Sequence, residues 1–441
     1  MKTRFLVYAT AITFTVALPL FAASSPKGGI LYTFKGGSDG QSPVAPLVAD
    51  AQGNLYGTTQ AGGGGMPCDG STEGCGTVFE LIAPSSPSGA WREKILYAFT
   101  GQADGEVPTG GLILDSAGNL YGTTEGGGDL GSTMCGNPIG FGCGVVFELS
   151  PPSSGGPWTE TVLYTFEGLP DGAFPETALV FDKAGNLYGT TVLGGTENAG
   201  AIFELSPQSG GTWAESIIYS FMGSTDGELP ISSLIFDTSG NFYGATVDGV
   251  YQLTPPGNGG EWSLNAIGVF EGGSLEYFHA GLLFDPSGNL FVTDPGGAPH
   301  VNGQALEFIP PHNGGTWTEI VIYSFRGGGD AEPFGFAEDS SGNLYGTTLG
   351  NAPNVGGEVF KLSDSANGWN RTVLHSFSNT RFSQGNGPQA PLVYGKWEAL
   401  FGTTSQGGDK SCGTGCGTVF GFLPQRKAKS RFLSLAGARS E

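Results

Sequence analysis

The sequence predicts an all-β fold, a seven-bladed β-propeller built from four-stranded antiparallel blades. Three observations lead to this prediction: one unit recurs seven times, each unit contains four short strand-like runs, and the two ends of the chain complement each other. A four-stranded unit repeated in this way is typical of a propeller. A linear β-solenoid is the alternative architecture.

Each repeat contains four runs of β-branched, aromatic and aliphatic residues, bounded by Gly, Pro, Asn or Ser. In chain order they are an inner strand such as LVFD (179–182), then GNLYGTT (185–191), AIFEL (201–205) and an outer strand such as IIYSF (217–221). Composition and length of these runs are typical of strands. The Gly- and Asn-containing links between them predict tight hairpins.

A Trp stands eight residues before the last Phe of six outer strands. The even spacing keeps Trp, Tyr and Phe on one face of the strand. We interpret these residues as an aromatic layer between neighbouring blades, and a sugar-stacking platform is the functional alternative. The six residues are Trp91, Trp158, Trp213, Trp262, Trp317 and Trp369.

The chain ends predict how the ring closes. The first repeat element is a lone outer strand, residues 30–34, and the last repeat has three strands without an outer one. The N-terminal strand should therefore join the last blade, which removes an exposed edge. We expect the propeller to occupy residues 28–424.

The N-terminus has the features of an export signal, which we assign to residues 1–24. Lys2 and Arg4 precede an apolar stretch, residues 5–21, and small residues follow. This predicts a secreted protein, extracellular or periplasmic, with no membrane span in the mature chain. Residues 425–441 form a basic tail that we expect to be disordered.

Six cysteines occur as three close pairs, each inside one Gly-rich loop. This spacing favours local disulfides, as expected for an exported protein. Zinc is the alternative, but it requires four ligands, and no His lies in these loops. The expected bonds join Cys68 with Cys75, Cys135 with Cys143, and Cys412 with Cys416.

The formal net charge of −22 bears on the choice of partner. An acidic chain repels phosphate backbones, so we expect no nucleic-acid partner. We expect a monomer whose ligand is an extracellular glycan or protein.

The string L-Y-S-F-x-GG-x-DG, followed by GNLYGTT and GTVFELSP, resembles the GloVer tandem-repeat family of bacterial exported proteins. Residues 30–59, 77–124, 145–191 and 321–362 match it closely. The resemblance implies export and implies no catalytic residues. Family members carry C-terminal surface anchors, whereas residues 425–441 have neither a hydrophobic tail nor a sorting motif, so we expect release from the cell.

Strand order puts the second-to-third-strand links and the links between blades on one face of the propeller. That face should hold the variable Gly-rich loops, all six cysteines and an Asp five residues after the outer-strand Phe. Binding residues commonly lie on such loops. We interpret these Asp residues, which form a ring around the propeller, as parts of structural turns. Calcium binding is the alternative, and calcium is the one possible cofactor. The ring comprises Asp39, Asp104, Asp171, Asp226 and Asp330.

The fifth repeat departs from the pattern. Leu275 replaces the turn Asp, and Asp294 replaces the last Thr of GNLYGTT. Glu276, His279, Asp294 and His300 could together form a general-base or metal site. Drift of one degenerate repeat is the alternative explanation.

Uniform motifs across the blades favour a non-enzymatic binding scaffold for a glycan or a surface protein. The second hypothesis is a propeller enzyme, a lyase or lactonase-like hydrolase, that uses the His and acid residues of the fifth repeat. A purely structural envelope role is the third hypothesis. No nucleophile elbow, phosphate loop or HExxH motif is present.

Overall fold

The structure, a computed structural model, describes residues 27–64, 68, 74–86, 88–131, 135, 141–223, 226–257, 260–270, 280–296, 302–311, 315–350, 355–378 and 384–423. The predicted signal peptide (1–24) and tail (425–441) lie outside these residues. Within them, no helix is long and apolar enough to span a membrane.

Seven four-stranded antiparallel sheets form a seven-bladed β-propeller, as predicted. The inner strands of blades one to seven are β2 (Val48–Ala49), β6 (Ile113–Leu114), β11 (Val180–Phe181), β16 (Ile235–Phe236), β20 (Leu282–Phe284), β24 (Pro333–Glu338) and β28 (Val393–Tyr394). The second strands are β3 (Leu55–Thr59), β7 (Leu120–Thr124), β12 (Leu187–Thr191), β17 (Phe242–Thr246), β21 (Leu290–Asp294), β25 (Leu344–Thr348) and β29 (Leu400–Thr404).

The third strands are β4 (Thr77–Ile82), β8 (Val145–Ser150), β14 (Ala201–Pro207), β18 (Gly249–Thr254), β22 (Gln304–Ile309), β26 (Glu358–Ser363) and β30 (Thr418–Leu423). The outer strands of blades one to six are β5 (Arg92–Ala98), β9 (Thr159–Thr165), β15 (Trp213–Ser220), β19 (Ser263–Val269), β23 (Thr318–Ser324) and β27 (Asn370–Ser376). Two short strands, β10 (Gly172–Ala173) and β13 (Leu193–Gly194), pair outside the blades. Short 3-10 turns lie at Gly37–Asp39, Lys396–Glu398 and Lys410–Cys412.

The ring closes as the chain ends predicted. The N-terminal strand β1 (Lys27–Thr33) pairs with β30 as the outer strand of blade seven, from Lys27 opposite Leu423 to Thr33 opposite Thr418. This pairing ties the two ends of the described chain together and leaves no unmatched strand in the last blade.

Aromatic rings join neighbouring blades. The Phe that follows each outer strand is buried, and at six junctions it contacts the third-strand ring of the next blade, as Phe34 contacts Phe79 edge-on at 5.1 Å. Each such ring contributes about 2–3 kcal/mol of hydrophobic stabilisation. The six pairs are Phe34–Phe79, Phe99–Phe147, Phe166–Phe203, Phe221–Tyr251, Phe325–Phe360 and Phe377–Phe420.

The repeated motif has a physical reason at each position. The Asp that ends the inner-strand motif caps the hairpin: Asp182 accepts hydrogen bonds from the Asn186 amide at 2.9 Å and from the Tyr188 hydroxyl at 3.3 Å. The second Gly of GNLYGTT lies under a third-strand ring. A Cβ on Gly189 would be 2.5 Å from Phe203 Cζ, so a side chain there requires a smaller partner.

Candidate functional site

The five Asp residues of the predicted ring each anchor the turn that follows an outer strand. Each carboxylate accepts a hydrogen bond from the Tyr hydroxyl seven residues earlier, at 2.5–3.2 Å, and from a backbone N–H four residues earlier, at 2.7–3.3 Å. They therefore lie at the blade junctions, and none of them lines the cavity that the inner segments of six blades surround on the propeller axis, next to Thr109 and Glu176. This geometry agrees with the structural-turn interpretation, and calcium binding stays a prediction.

A second carboxyl group from the next blade approaches three of these Asp residues. Glu93 faces Asp39 and lies 3.5 Å from the Tyr32 hydroxyl. Burial, with the nearby Asp charge second, raises the pKa of Glu93 to about 7. Glu160 beside Asp104 and Glu215 beside Asp171 have the same two causes and the same pKa of about 7. Each pair thus places two carboxyl groups, which repel each other when both are ionised, in a partly buried site.

In blade six, a cation stands at the position of the second carboxyl group, so the repulsion between two carboxylates is replaced by an ion pair. Arg371 stands where four other outer strands have Glu, and its Nη2 lies 2.9 Å from Asp330 and 2.7 Å from Glu358. The guanidinium also lies over the Phe360 ring, 5.2 Å from its centroid. The chain therefore contains two versions of the junction, one with two carboxyls and one with an ion pair.

The carboxyl pairs predict a loss of stability as the pH rises. A pKa that is raised in the folded state means that the folded protein holds the proton more tightly than the unfolded chain does. The stability that this proton contributes is complete below the usual pKa range of Glu and is lost as the pH rises through about 7. We expect the triple variant E93Q/E160Q/E215Q to gain on the wild type between pH 5 and pH 8. Solvent screening reduces the gain to about 1 kcal/mol per site.

Urea unfolding of both proteins at several pH values measures this difference. The control E197Q makes the Glu-to-Gln change once, at an exposed loop residue, and its difference from the wild type should not vary with pH. Parallel stability curves for the triple variant and the wild type would show that the pairs do not exclude charge.

The six cysteines form the three local disulfides that the spacing predicted. The bonds join Cys68 with Cys75, Cys135 with Cys143, and Cys412 with Cys416, and the Cα atoms of each pair are 5.1–5.2 Å apart. Each pair lies in a second-to-third-strand link, in blade one, two or seven. These links hydrogen-bond to the turns between blades, as Gly63 N does to Gly37 O at 2.7 Å. The two kinds of link therefore share one face, in agreement with the strand-order argument.

Half of the cysteines are fully buried although they lie in loops. Cys75, Cys143 and Cys416 are 0% exposed. Cys143 lies in a cluster with the junction ring of Phe166, and Cys416 lies in the corresponding cluster with Phe34. The sulfur atoms of Cys143 and Cys416 therefore extend the aromatic core of the blade junctions.

The zinc alternative fits the same residues poorly. Among the described residues, one group of potential ligands is close enough to hold a metal ion: Cys68, Cys75 and Glu106. Two of its three members are already joined in a disulfide and offer no thiolate. Zinc in proteins takes four ligands, with Cys bound as the thiolate, so this group does not meet the requirement.

Only Asp294 of the four fifth-repeat candidates lies within the described residues; Glu276, His279 and His300 are outside them. Asp294 is 4% exposed, and its carboxylate accepts a hydrogen bond from Gly296 N at 2.9 Å. It lines a cleft of about 650 Å³ between the outer strand of blade four and blade five.

The cleft is also lined by Gln304, Trp317, Glu319 and Asn265. Trp317 belongs to the aromatic layer, where its ring meets Tyr243 of blade four at 5.8 Å. Glu319 is exposed here, whereas its counterparts at other junctions, such as Glu93, are half-buried. A Trp surface, two carboxylates and two amides thus converge on one concave site.

Missing side chains open the cleft. Gly268 stands in β19 where five other outer strands have Tyr and one has His375. Leu306 stands in β22 where the other six blades have Phe or Tyr. The ring pair of the other six junctions is therefore absent here, and the cleft lies beside Gly268 and Leu306.

The substitutions that open the cleft are compensated. Val292 replaces the second Gly of the GNLYGTT motif and lies directly opposite Leu306. Leu306 leaves room for the Val side chain, whereas the other six blades have a Phe or Tyr ring at this third-strand position. Phe308 replaces the Leu of five blades, and its ring fills the space beside Gly268, 2.4 Å from where a Cβ would be. Matched changes on three strands preserve packing, which argues against simple drift of the repeat.

The sequence pointed to Asp294 but missed Trp317, Glu319, Gln304 and Gly268 as members of one site. Their signal was present: Gly268 is the one Gly among the outer-strand Tyr positions. Detecting the cleft also required knowing that β19 and β22 face each other across a blade junction.

Several solved structures are similar to this chain. The extracellular domain of BT4673 from B. thetaiotaomicron is similar with TM-score 0.50 and 13% identity, over 90% of this chain and 42% of that chain. YCF48 from Cyanidioschyzon merolae gives TM-score 0.49 and 14% identity over 91% and 100% of the two chains. A gluconolactonase from Xanthomonas campestris gives 0.40 and 14%, over 90% of each chain. At these identities the likeness concerns the fold alone.

A comparison with curated proteins finds no match. Residues 130–319 match the family model described as the Gloeobacter/Verrucomicrobia repeat. The matched segment runs from blade two into blade five, and its motifs recur in the blades before and after it. Residues 130–319 thus match the Gloeobacter/Verrucomicrobia repeat, in agreement with the resemblance that the motifs indicated.

Proposed function

We propose that this chain is an exported, non-enzymatic propeller that binds an extracellular carbohydrate in the cleft between blades four and five. The observation that supports this best is the compensated set of substitutions at Gly268, Phe308, Val292 and Leu306. They open one of seven equivalent junctions while the surrounding core stays packed. A volume of about 650 Å³ is within the usual range for small-molecule sites.

The chemistry of the lining favours a neutral polyhydroxyl ligand. Asp294, Glu319, Gln304 and Asn265 offer hydrogen-bond acceptors and donors, and no Lys, Arg or His is among the described lining residues. An anionic ligand would find no counter-charge among these described residues. Trp317 offers an apolar ring on which the C–H face of a sugar can stack.

An enzyme that uses the same cleft is the alternative. Asp294 is the described member of the fifth-repeat cluster, and Glu319 lines the same cleft. Two carboxyl groups in one cleft are compatible with general acid–base catalysis. The binding experiment therefore includes a search for cleaved or opened products.

Binding of soluble oligosaccharides to the mature chain tests the proposal, with thermal shift as the screen and calorimetry for any hit. We expect W317A to weaken binding at least tenfold, because stacked aromatic anchors commonly contribute more than about 1.4 kcal/mol. The matched control is W158A, which removes a Trp that packs on Tyr56 at a closed junction.

A second variant, G268Y/F308L, restores the residues of the closed junctions and should fill the cleft without unfolding the blade. Loss of binding in W317A and G268Y/F308L, with binding kept in W158A, would support the proposal. Binding that survives G268Y/F308L would overturn the cleft as the site. Product formation with any saccharide would favour the enzyme.

A further inference from the structure

We propose that the cavity on the propeller axis is a second, separate binding site, and that it takes the ammonium group of a small amine. The site is independent of the carbohydrate cleft and shares no lining residue with it. Three observations support this assignment. They are the position of the cavity, the polar groups that line it, and the lack of partners for two of these groups among the described residues.

Six blades contribute to this cavity, which has a volume of about 120 Å³. Its walls combine apolar and polar residues at the start of the inner strands. They include Pro46, Thr109, Glu176, Ser233, Ala280 and Gln389, from blades one, two, three, four, five and seven. An engineered cavity of about 150 Å³ can hold benzene, so a methylammonium-sized group fits here.

Two polar groups in this cavity have no partner among the described residues. The Thr109 side chain is 6% exposed, and its Oγ1 makes no hydrogen bond. The Glu176 carboxylate has no hydrogen bond or ion pair with a described residue. Ser233 is engaged, because its Oγ accepts from Ala178 N at 3.0 Å. A buried hydroxyl such as that of Thr109 costs free energy when it is unpaired, and a ligand that hydrogen-bonds to it would relieve that cost.

Glu176 sets the charge that the site prefers. Among the described lining residues it is the one ionisable group. Burial raises the pKa of Glu176 to about 7, so this carboxyl group takes up a proton more readily than an exposed Glu does. A bound cation would stabilise the ionised form.

The oxygen geometry selects among cations. Glu176, Thr109 and Gln389 can present three acceptors from three blades, matching the three N–H donors of a primary ammonium group. Calcium would require six to eight oxygens, and the described lining has one carboxylate. Pro391 and Leu282 supply apolar wall for the carbon attached to nitrogen.

Comparison of the repeats singles out Glu176 as a residue specific to blade three. Six repeats carry Pro at the start of the inner segment, and the next residue differs in each of them. Blade three alone has an acid there. The six residues are Val44, Thr109, Glu176, Ile231, Phe334 and Gln389.

Calorimetric titration of the mature chain with methylammonium chloride tests the proposal, with methanol as the neutral probe of similar size. We expect saturable binding with proton release, and an affinity that rises about tenfold with each unit of pH until the Glu176 pKa of about 7 is reached. The variant E176Q should bind at least tenfold more weakly and lose the pH dependence. T109V should weaken binding, and E197Q, an exposed acid of the same blade, should not.

Unchanged binding in E176Q, equal binding of methanol, equal competition by potassium, or no binding in the wild type would each overturn the proposal. The cleft variant G268Y/F308L should keep methylammonium binding. Failure of this site is thereby distinguished from failure of the carbohydrate cleft.

Discussion

Substitution of Arg371 by Met should lower the free energy of unfolding by about 3–5 kcal/mol, because loss of one partner leaves buried charges uncompensated. The Arg371 side chain is 10% exposed and pairs with Asp330 and Glu358, which are 17% and 16% exposed. Met keeps most of the packing against Phe360 while it removes the charge. The change should appear as a lower urea midpoint.

The matched control is R92M, which removes an exposed Arg from the outer strand of blade one and should change stability by less than about 0.5 kcal/mol. Adding D330N to R371M should recover part of the loss, since one of the two stranded carboxylates disappears. Equal stability of R371M and R92M would mean that the ion pair contributes nothing, and that blade six tolerates two carboxyls as the Glu93 junction does.

Repetition made the fold predictable. Seven copies of the same strand pattern fix the blade count, and a spare strand at one end with a missing strand at the other fixes the closure. Strand length was less predictable: the inner run LVFD pairs over Val180–Phe181 only. Asp182 leaves the ladder because its carboxylate caps the hairpin through Asn186. Hairpin capping therefore ends the inner strand before its Asp.

The cysteines show the same division between pattern and packing. Their spacing predicted which residues pair, because both partners of each bond lie in one short loop. It did not predict that Cys143 and Cys416 would be buried at 0% exposure. That burial depends on the outer-strand Phe residues, Phe166 and Phe34, which approach each sulfur from another part of the chain.

The sites were less predictable because each depends on contacts between repeats. The cleft arises where Gly268 of one repeat meets Phe308 of the next, and the departure of Gly268 from the Tyr pattern gains its meaning from that contact between repeats. Comparison of the fifth repeat with the others identified Asp294, because it changes the residue type. It did not show that the volume beside Gly268 changes, since that volume depends on a neighbouring repeat. Glu176 was missed for a similar reason: which residue after Pro faces the axis depends on how the inner segments converge.

A double-mutant cycle in blade three tests whether the blade-five substitutions are coupled. G189V alone should destabilise by about 3 kcal/mol, because the added side chain overlaps the Phe203 ring, 2.5 Å from the Cβ position. F203L alone should destabilise by about 1–3 kcal/mol, since it leaves space and removes the edge contact with Phe166. The double variant G189V/F203L reproduces the Val292 and Leu306 pair of blade five.

If the exchange is compensated, the double variant should be about 2 kcal/mol more stable than the sum of the single effects predicts. The matched cycle G189V/F147L combines the same two changes in different blades, where Phe147 lies over Gly122, and should be additive. Equilibrium unfolding of the wild type and these variants gives both coupling energies. Additivity in both cycles would remove the packing argument that blade five was rebuilt as a unit, and with it the main support for the cleft. Coupling in the first cycle alone would mean that Val292 and Leu306 hold the blade together while Gly268 opens its junction.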